Sequence, residues 1–216
     1  SIIYIYFALT EFYLNSNLQL NSWFNDLKDT LLIFSIFVSL FLLRDLFSSK
    51  NLPGILVKKY FRFIFYITSS FVFIYLIANF KGFYDPSIIL GCFILIWVND
   101  SFAYIVGKSF GKQKLFYSIS PHKTVEGFLG GLLFCCISAS IVSRYIDDTL
   151  STPNWLIIAI IVSVFGTLGD LIESKLKRES NVKDSGKIIP GHGGILDRLD
   201  SVIFASPYIY LFLKLI

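Results

Sequence analysis

Seven apolar stretches, at roughly 1–14, 29–43, 63–80, 87–107, 125–143, 155–172 and 201–216, constrain the fold of this chain more than any other feature. Several fall short of the ~20 residues of a perpendicular span, but each can borrow a turn from its flanks. In hydrocarbon every backbone amide and carbonyl has to be bonded internally, which leaves helices or a closed barrel. Strand-like alternation is absent, and that removes the barrel. The expectation is an all-α fold, a polytopic integral membrane helical bundle of about seven transmembrane segments. Composition agrees: 55% of residues are hydrophobic and only 16% charged, against about 25% charged in soluble domains. The 23 Phe and 12 Tyr suit lipid-facing and interfacial surfaces.

Charge is confined to alternate loops. Arg44, Lys50, Lys58, Lys59 and Arg62 fall in 44–62, and Lys108, Lys112, Lys114 and Lys123 in 108–124. A third loop, 173–200, holds Lys175, Lys177, Arg178, Lys183, Lys187 and Arg198. Only Lys28, Lys81, Arg144 and Lys214 are left for the other side, out of 19 Lys and Arg. The positive-inside rule then puts the three basic loops in the cytoplasm. A net charge of +4 distributed this way reports topology, and no nucleic-acid partner is expected. Cys92, Cys135 and Cys136 lie inside apolar runs without ligand spacing and read as packing residues. The chain has no Met and opens at Ser1 within an apolar run that lacks signal-peptide features. A truncated or processed start, with membrane segments before it, is expected. Residues 1–80 carry no motif and read as N-terminal membrane helices, and 81–216 as the catalytic membrane domain.

Acids at membrane depth are the sharpest chemical signal. Asp100 interrupts IILGCFILIWVNDSFAYIVG, Asp170 ends IIAIIVSVFGTLGD, and Asp197 and Asp200 open the last apolar segment. An unpaired carboxylate there costs about 2.5–3.5 kcal/mol even on insertion scales, so several together call for cations. The topology brings all four toward one membrane face, as a site of hard oxygen ligands for Mg²⁺ requires. Asp170, Glu173, Ser174 and Lys177 share a helical face, as do Asp197 and Asp200. Any one of these acids alone is as well explained by pairing with a neighbouring Lys or Arg; Asp170, Asp197 and Asp200 together are not. Gly191, Gly193 and Gly194 flank His192 just before the final helix, where backbone amides can face a phosphate. Taken alone, that motif is equally a tight turn. Lys112, Lys123 and Thr124 lie in a second glycine-containing basic loop that suits a triphosphate or anionic headgroup. Gly127, Gly130 and Gly131 suit close helix packing.

These residues, taken in order, resemble one family. Ser174, Leu176, Lys177, Arg178, Lys183, Asp184, Gly186, Pro190, His192, Gly193, Gly194, Asp197, Arg198, Leu199 and Asp200 resemble the long signature of the phosphatidate cytidylyltransferases, or CDP-diacylglycerol synthases. WVNDSFAYIVGKSFGK, ISPHKTVEG and GDLIESKLKR are similar to that family's other motifs, in the same order. The resemblance covers about 97–207, with Lys108 where Arg is expected and His122 where a second Lys is common.

The resemblance implies nucleotidyl transfer: CTP and phosphatidate give CDP-diacylglycerol and pyrophosphate with Mg²⁺, and a second cation is an option. It implies a bacterial-type inner membrane, an active site facing the cytoplasm and membrane lipid as partner, with a homodimer among the oligomers left open. It implies catalytic roles for Asp170, Asp197, Lys177 and Asp200, with Asp100 joining Asp170, Asp197 and Asp200 as metal ligands. Substrate contacts are implied for Ser120, Lys123, Thr124, Glu126, Arg178, Lys183, Asp184, His192, Gly193, Gly194 and Arg198. A CTP-dependent lipid-alcohol kinase of the dolichol or phytol type is the nearest alternative. A carrier is disfavoured because its site would sit at the midplane between repeated halves. The D-x₂-D-G-x₂-A-R pattern of CDP-alcohol phosphotransferases is absent.

Overall fold

The computed structural model describes residues 21–47, 63–117, 119–147, 149–182, 184–186 and 194–216. Helix α1 spans Asn21–Phe47, and a π-helical stretch, Phe63–Thr68, passes directly into α2, Ser69–Ala78. Helix α3 is Ser87–Phe110, followed by a hairpin of β1, Lys114–Phe116, and β2, Ser120–Thr124. Helices α4, Val125–Tyr145, α5, Thr152–Glu179, and α6, Leu196–Leu215, complete the bundle. Among the described residues, four stretches are long and apolar enough to cross a membrane: Asn25–Phe47, Ser87–Phe110, Val125–Tyr145 and Thr152–Glu179. Ile64–Ala78 is a shorter apolar helix. The fold is therefore an all-α membrane bundle. Six of the seven apolar stretches are helical, four of them qualify as full spans, and 1–14 lies outside the described residues.

Lipid-facing stripes run down the outside at helical spacing, with Ile33, Phe37 and Leu40 on α1 and Leu133, Ile137 and Ile141 on α4. Inside, one cluster gathers Phe73, Leu95, Cys135, Trp155, Ile158 and Ile209, and a second gathers Val38, Leu42, Tyr66, Leu171, Ile203 and Phe204. Cys92 and Cys135 are free and fully buried, as packing residues should be. Close approach of α3 and α4 depends on Gly131, where a Cβ would stand 2.8 Å from the Asn99 carbonyl oxygen.

Hydroxyls repair the backbone wherever the helices are irregular. Ser69 and Ser70 donate to the carbonyls of Phe65 and Tyr66, at 2.8 and 2.5 Å, inside the π-helical stretch. Pro207 offers no N–H to the Ile203 carbonyl four residues back, and the Ser206 hydroxyl donates to it instead at 3.2 Å.

Charged residues close the two ends. At one end Lys81 bridges Asp85 at 2.5 Å and Asp147 at 2.9 Å. At the other, Lys175 ties α5 to Asp45 of α1 at 2.6 Å. That second end carries the hairpin, the C-terminal turns of α3 and α5 and the N-terminus of α6.

Candidate active site

Local sequence explains how each wall of this end is placed. Thr124 ends β2 in an extended conformation and caps α4, accepting from the Gly127 amide at 3.1 Å. Glu126, in the first turn, accepts from the Lys112 and Gln113 amides at 3.0 and 3.2 Å and so folds the loop back over its own helix. The hairpin, in register through Lys114 with Thr124 and Phe116 with Ser120, carries Lys123 to α5. No strand was expected in this basic loop; five residues of β2 are too few for alternation to show.

The walls enclose a cavity of about 740 Å³. Of the residues singled out in the sequence, Asp100, Lys123, Thr124, Asp170, Lys177, Asp197, Arg198 and Asp200 line it together. Ser120, Glu126, Arg178, Asp184 and Gly194 are not in its wall. Arg178 turns to the Val182 carbonyl, and Asp184 is exposed. Lys183, His192 and Gly193 lie outside the described residues.

The acids divide into two groups with different partners. Carboxylate oxygens of Asp170, Glu173 and Asp200 lie within 4.8 Å of one another. Twice a metal–oxygen bond to Mg²⁺ or Ca²⁺ is about 4–5 Å, so the three fit around one hard cation. Asp170 is half-exposed and receives Lys123 at 2.5 Å and the Ser174 hydroxyl at 3.3 Å. Glu173 and Asp200 are buried. Glu173 Oε2 lies 2.5 Å from Lys177 Nζ, while Oε1 is buried without a hydrogen-bond partner among the described residues. An unsatisfied buried carboxylate oxygen is an atom that a cation would satisfy.

Asp197 stands apart from this trio. Its Oδ1 takes Lys177 at 2.7 Å, and its Oδ2 takes the Ser185 amide and hydroxyl and the Gly194 amide at 2.9, 2.8 and 2.7 Å. Lys177 thus bridges Glu173 on its own helix to Asp197 on α6. The α5–α6 contact that allows this relies on Gly169, where a Cβ would stand 2.8 Å from the Asp200 carbonyl oxygen and 2.5 Å from Phe204 Cβ.

Sequence reasoning placed Glu173 on the right helical face without assigning it to the site, although i+3 from Asp170 was the available signal. Asn99 was missed as well. Buried at 3% exposure, it accepts from the Ser163 hydroxyl at 2.7 Å and donates to Asp100 at 3.3 Å, which orients that carboxylate.

A helical membrane bundle with a cavity at one end lined by four aspartates and four lysines defines the class: an integral membrane protein with a charge-lined site at one end. The cytidylyltransferase family model matches residues 1–216, and the chain belongs to that family. It is 52% identical over 122 residues to the phosphatidate cytidylyltransferase of Bacillus subtilis, across 56% of this chain and 45% of that one. With the Staphylococcus saprophyticus phosphatidate cytidylyltransferase it shares 42% identity over 195 residues, 89% of this chain and 72% of the relative. With that of Staphylococcus haemolyticus it shares 49% over 125 residues, 58% and 48% respectively. The chain thus spans about half the length of two of these relatives and most of the third.

Proposed function

We propose that this chain transfers the cytidylyl group of CTP to phosphatidate, giving CDP-diacylglycerol and pyrophosphate, at the cytoplasmic face of a bacterial inner membrane. The observation that carries the reading is the Asp170, Glu173 and Asp200 cluster paired with Lys123 and Lys177, with Asp170, Asp200 and both lysines in the wall of one cavity. Two polyanions have to meet there, one from the cytosol and one from the lipid, and their repulsion is the main obstacle. Basic loops at that end favour the cytoplasmic side.

Asp170, Glu173 and Asp200 would hold Mg²⁺, and Asp100 offers a further carboxylate for a second cation. A bound Mg²⁺ supplies a Lewis acid that neutralises the triphosphate. Lys123 leaves Asp170 for a phosphate oxygen, and Lys177, kept in place by Asp197, presents its charge to the departing pyrophosphate. A phosphatidate phosphate oxygen, ionised at neutral pH, attacks the α-phosphorus; the bond to the β-phosphate bridging oxygen breaks, and its electron pair leaves with pyrophosphate. No general base is required. Thr124 and Arg198, both in the cavity wall, orient the nucleotide.

The test is a product assay on detergent-purified protein with radiolabelled CTP, phosphatidate and a Mg²⁺ titration. Metal-dependent labelled lipid plus pyrophosphate is expected, lost in Asp170→Asn and Asp200→Asn. Labelled CDP formed with a lipid alcohol in place of phosphatidate would replace this reading with a kinase.

A further inference from the structure

The outward stripe of α4, Leu133, Ile137 and Ile141, is aliphatic, as a surface against lipid tails should be, but the outward stripe of α3 is not. Phe102 of α3 stacks on Phe134 of α4 with 3.8 Å between centroids, and Gly130 and Gly131 lie against Val106 and Asn99. That packing turns Trp97, Ser101, Tyr104 and Lys108, at i, i+4, i+7 and i+11, to the outside. Trp97 is 63% exposed and Tyr104 67%. An exposed Trp in a membrane helix usually anchors one of the two interfaces. Trp97 instead sits in the middle of Ser87–Phe110, away from both ends.

The stripe leads into the cavity. Tyr104 and Lys108 belong to the cavity wall, as does Asp100, an exposed carboxylate on the edge of the stripe. A carboxylate facing hydrocarbon is costly, so the space beside Asp100 is the polar cavity, which opens sideways along α3. Lys123 and Lys177 in the same wall are held by carboxylates, whereas Lys108 extends over the Tyr104 ring with its Nζ 5.7 Å from the centroid. From Lys108 to Trp97 the helix rises about 16 Å. That matches the roughly 15 Å of hydrocarbon in one leaflet.

We propose that this face of α3 is a lateral portal that seats one phosphatidate before its headgroup enters the cavity, with Lys108 on the phosphate and Tyr104 and Trp97 along an acyl chain. The inference deepens the reading above and rests on phosphatidate as substrate. The cation at the cavity end and the match to one leaflet select an anionic lipid over a second copy of this chain. One charge-assisted hydrogen bond to the phosphate corresponds to about tenfold in affinity.

The test reads Trp fluorescence of the chain in phosphatidylcholine vesicles that carry a rising fraction of phosphatidate with brominated acyl chains, without nucleotide. Trp97→Phe, an exchange at an exposed position, isolates the quenching that belongs to Trp97, since Trp23 and Trp155 are present in both. Brominated phosphatidate should quench that part at about a tenfold lower fraction than phosphatidylglycerol with the same chains, and Lys108→Gln should remove the difference. Equal quenching by both lipids in the parent would place Trp97 against bulk bilayer and overturn the portal. Quenching by neither would mean that another protein surface, a second copy included, covers the stripe, which overturns it too. A preference that survives Lys108→Gln would take the phosphate away from Lys108 and sink the arrangement. A preference that is lost in that variant, in a chain that makes no CDP-diacylglycerol, would uphold the portal and overturn the reaction instead.

Discussion

Lys123 Nζ and Asp170 Oδ2 lie 2.5 Å apart, and that single contact joins the hairpin to helix α5 at the carboxylate cluster. The ammonium occupies ground that a phosphate oxygen and a metal ion would divide between them: one takes the lysine, the other the aspartate. On the proposed reading, the pair is a holding arrangement for the free protein. Its side chains are 27% and 36% exposed, so it contributes less than about 1 kcal/mol to stability.

Lys123→Ala should therefore separate function from stability. Detergent melts should change little, whereas kcat/KM for CTP should fall about 100-fold, the scale of losing one preorganised charge donor to a transition state. Parent-like kinetics in the variant would remove Lys123 from the phosphate site.

Asp197 has a different job from the other acids, and its variant should show it. Four donors converge on its two oxygens, from Lys177, Ser185 and Gly194. Asp197→Asn keeps the shape but offers one acceptor oxygen and no charge, so about 1.5–3 kcal/mol of local order is lost per charge-assisted bond removed. Turnover should collapse, and the segment between α5 and α6 should be cut faster by trypsin than in the parent. Asp170→Asn, whose partners are Lys123 and Ser174, should lose turnover without the change in cleavage.

Much of this was legible in the chain beforehand. Apolar run length and the lack of alternation sufficed for a helical bundle, and of the three basic loops grouped by charge, 108–124 and 173–200 both line the cavity, while most of 44–62 lies outside the described residues. Asp100, Asp170, Asp197 and Asp200 were legible because a carboxylate in an apolar run demands a partner. What stayed hidden depends on contacts between segments. Glu173 belongs with the trio because α5 and α6 approach at Gly169, and Asp197 is diverted to Lys177 and the Gly194 amide by the turn before α6. The i+3 spacing joins Glu173 to Asp170 but not to Asp200, and the Asp197 contacts have no periodicity to read. The hairpin at Lys114–Thr124 escaped for a similar reason: its strands are held by a β-bulged pairing and the Thr124 cap rather than by an alternating pattern.

The opposite end of the bundle should set the acid limit of stability. The Lys81 hydrogen bond holds the Asp85 carboxyl down to about 2. At Asp147 burial pushes upward, but the Thr149 hydroxyl and Lys81 outweigh it and the net shift is downward. Lys81 is likewise opposed by burial, yet its bonds to Asp85 and Asp147 raise it overall. Depressed carboxylates contribute stability that is complete above their unfolded value of about 4 and drains away as pH falls through the folded values. The melting temperature in detergent should hold from pH 7 to about 5 and drop between about 4 and 2. Lys81→Met should flatten that acid limb, while leaving Mg²⁺-induced stabilisation as in the parent.

Helix approach at Gly169 is the structural condition for the carboxylate cluster, and it can be tested without touching any charged group. A Cβ at 169 would stand 2.5 Å from Phe204 Cβ and 2.8 Å from the Asp200 carbonyl oxygen, neither of them the mobile end of a side chain. Gly169→Ala must push α6 from α5, at a cost of about 1–3 kcal/mol for overpacking. It should also widen the spacing between Asp170 and Asp200. Gly166, one turn earlier on the same helix, would meet only Ser201, its Cβ at 3.5 Å and its Oγ at 3.9 Å, both ordinary contacts. Gly166→Ala should leave both melting temperature and half-saturating Mg²⁺ near parent values, whereas Gly169→Ala should lower the first and raise the second. If both substitutions behave alike, the cluster does not depend on the close approach of these two helices.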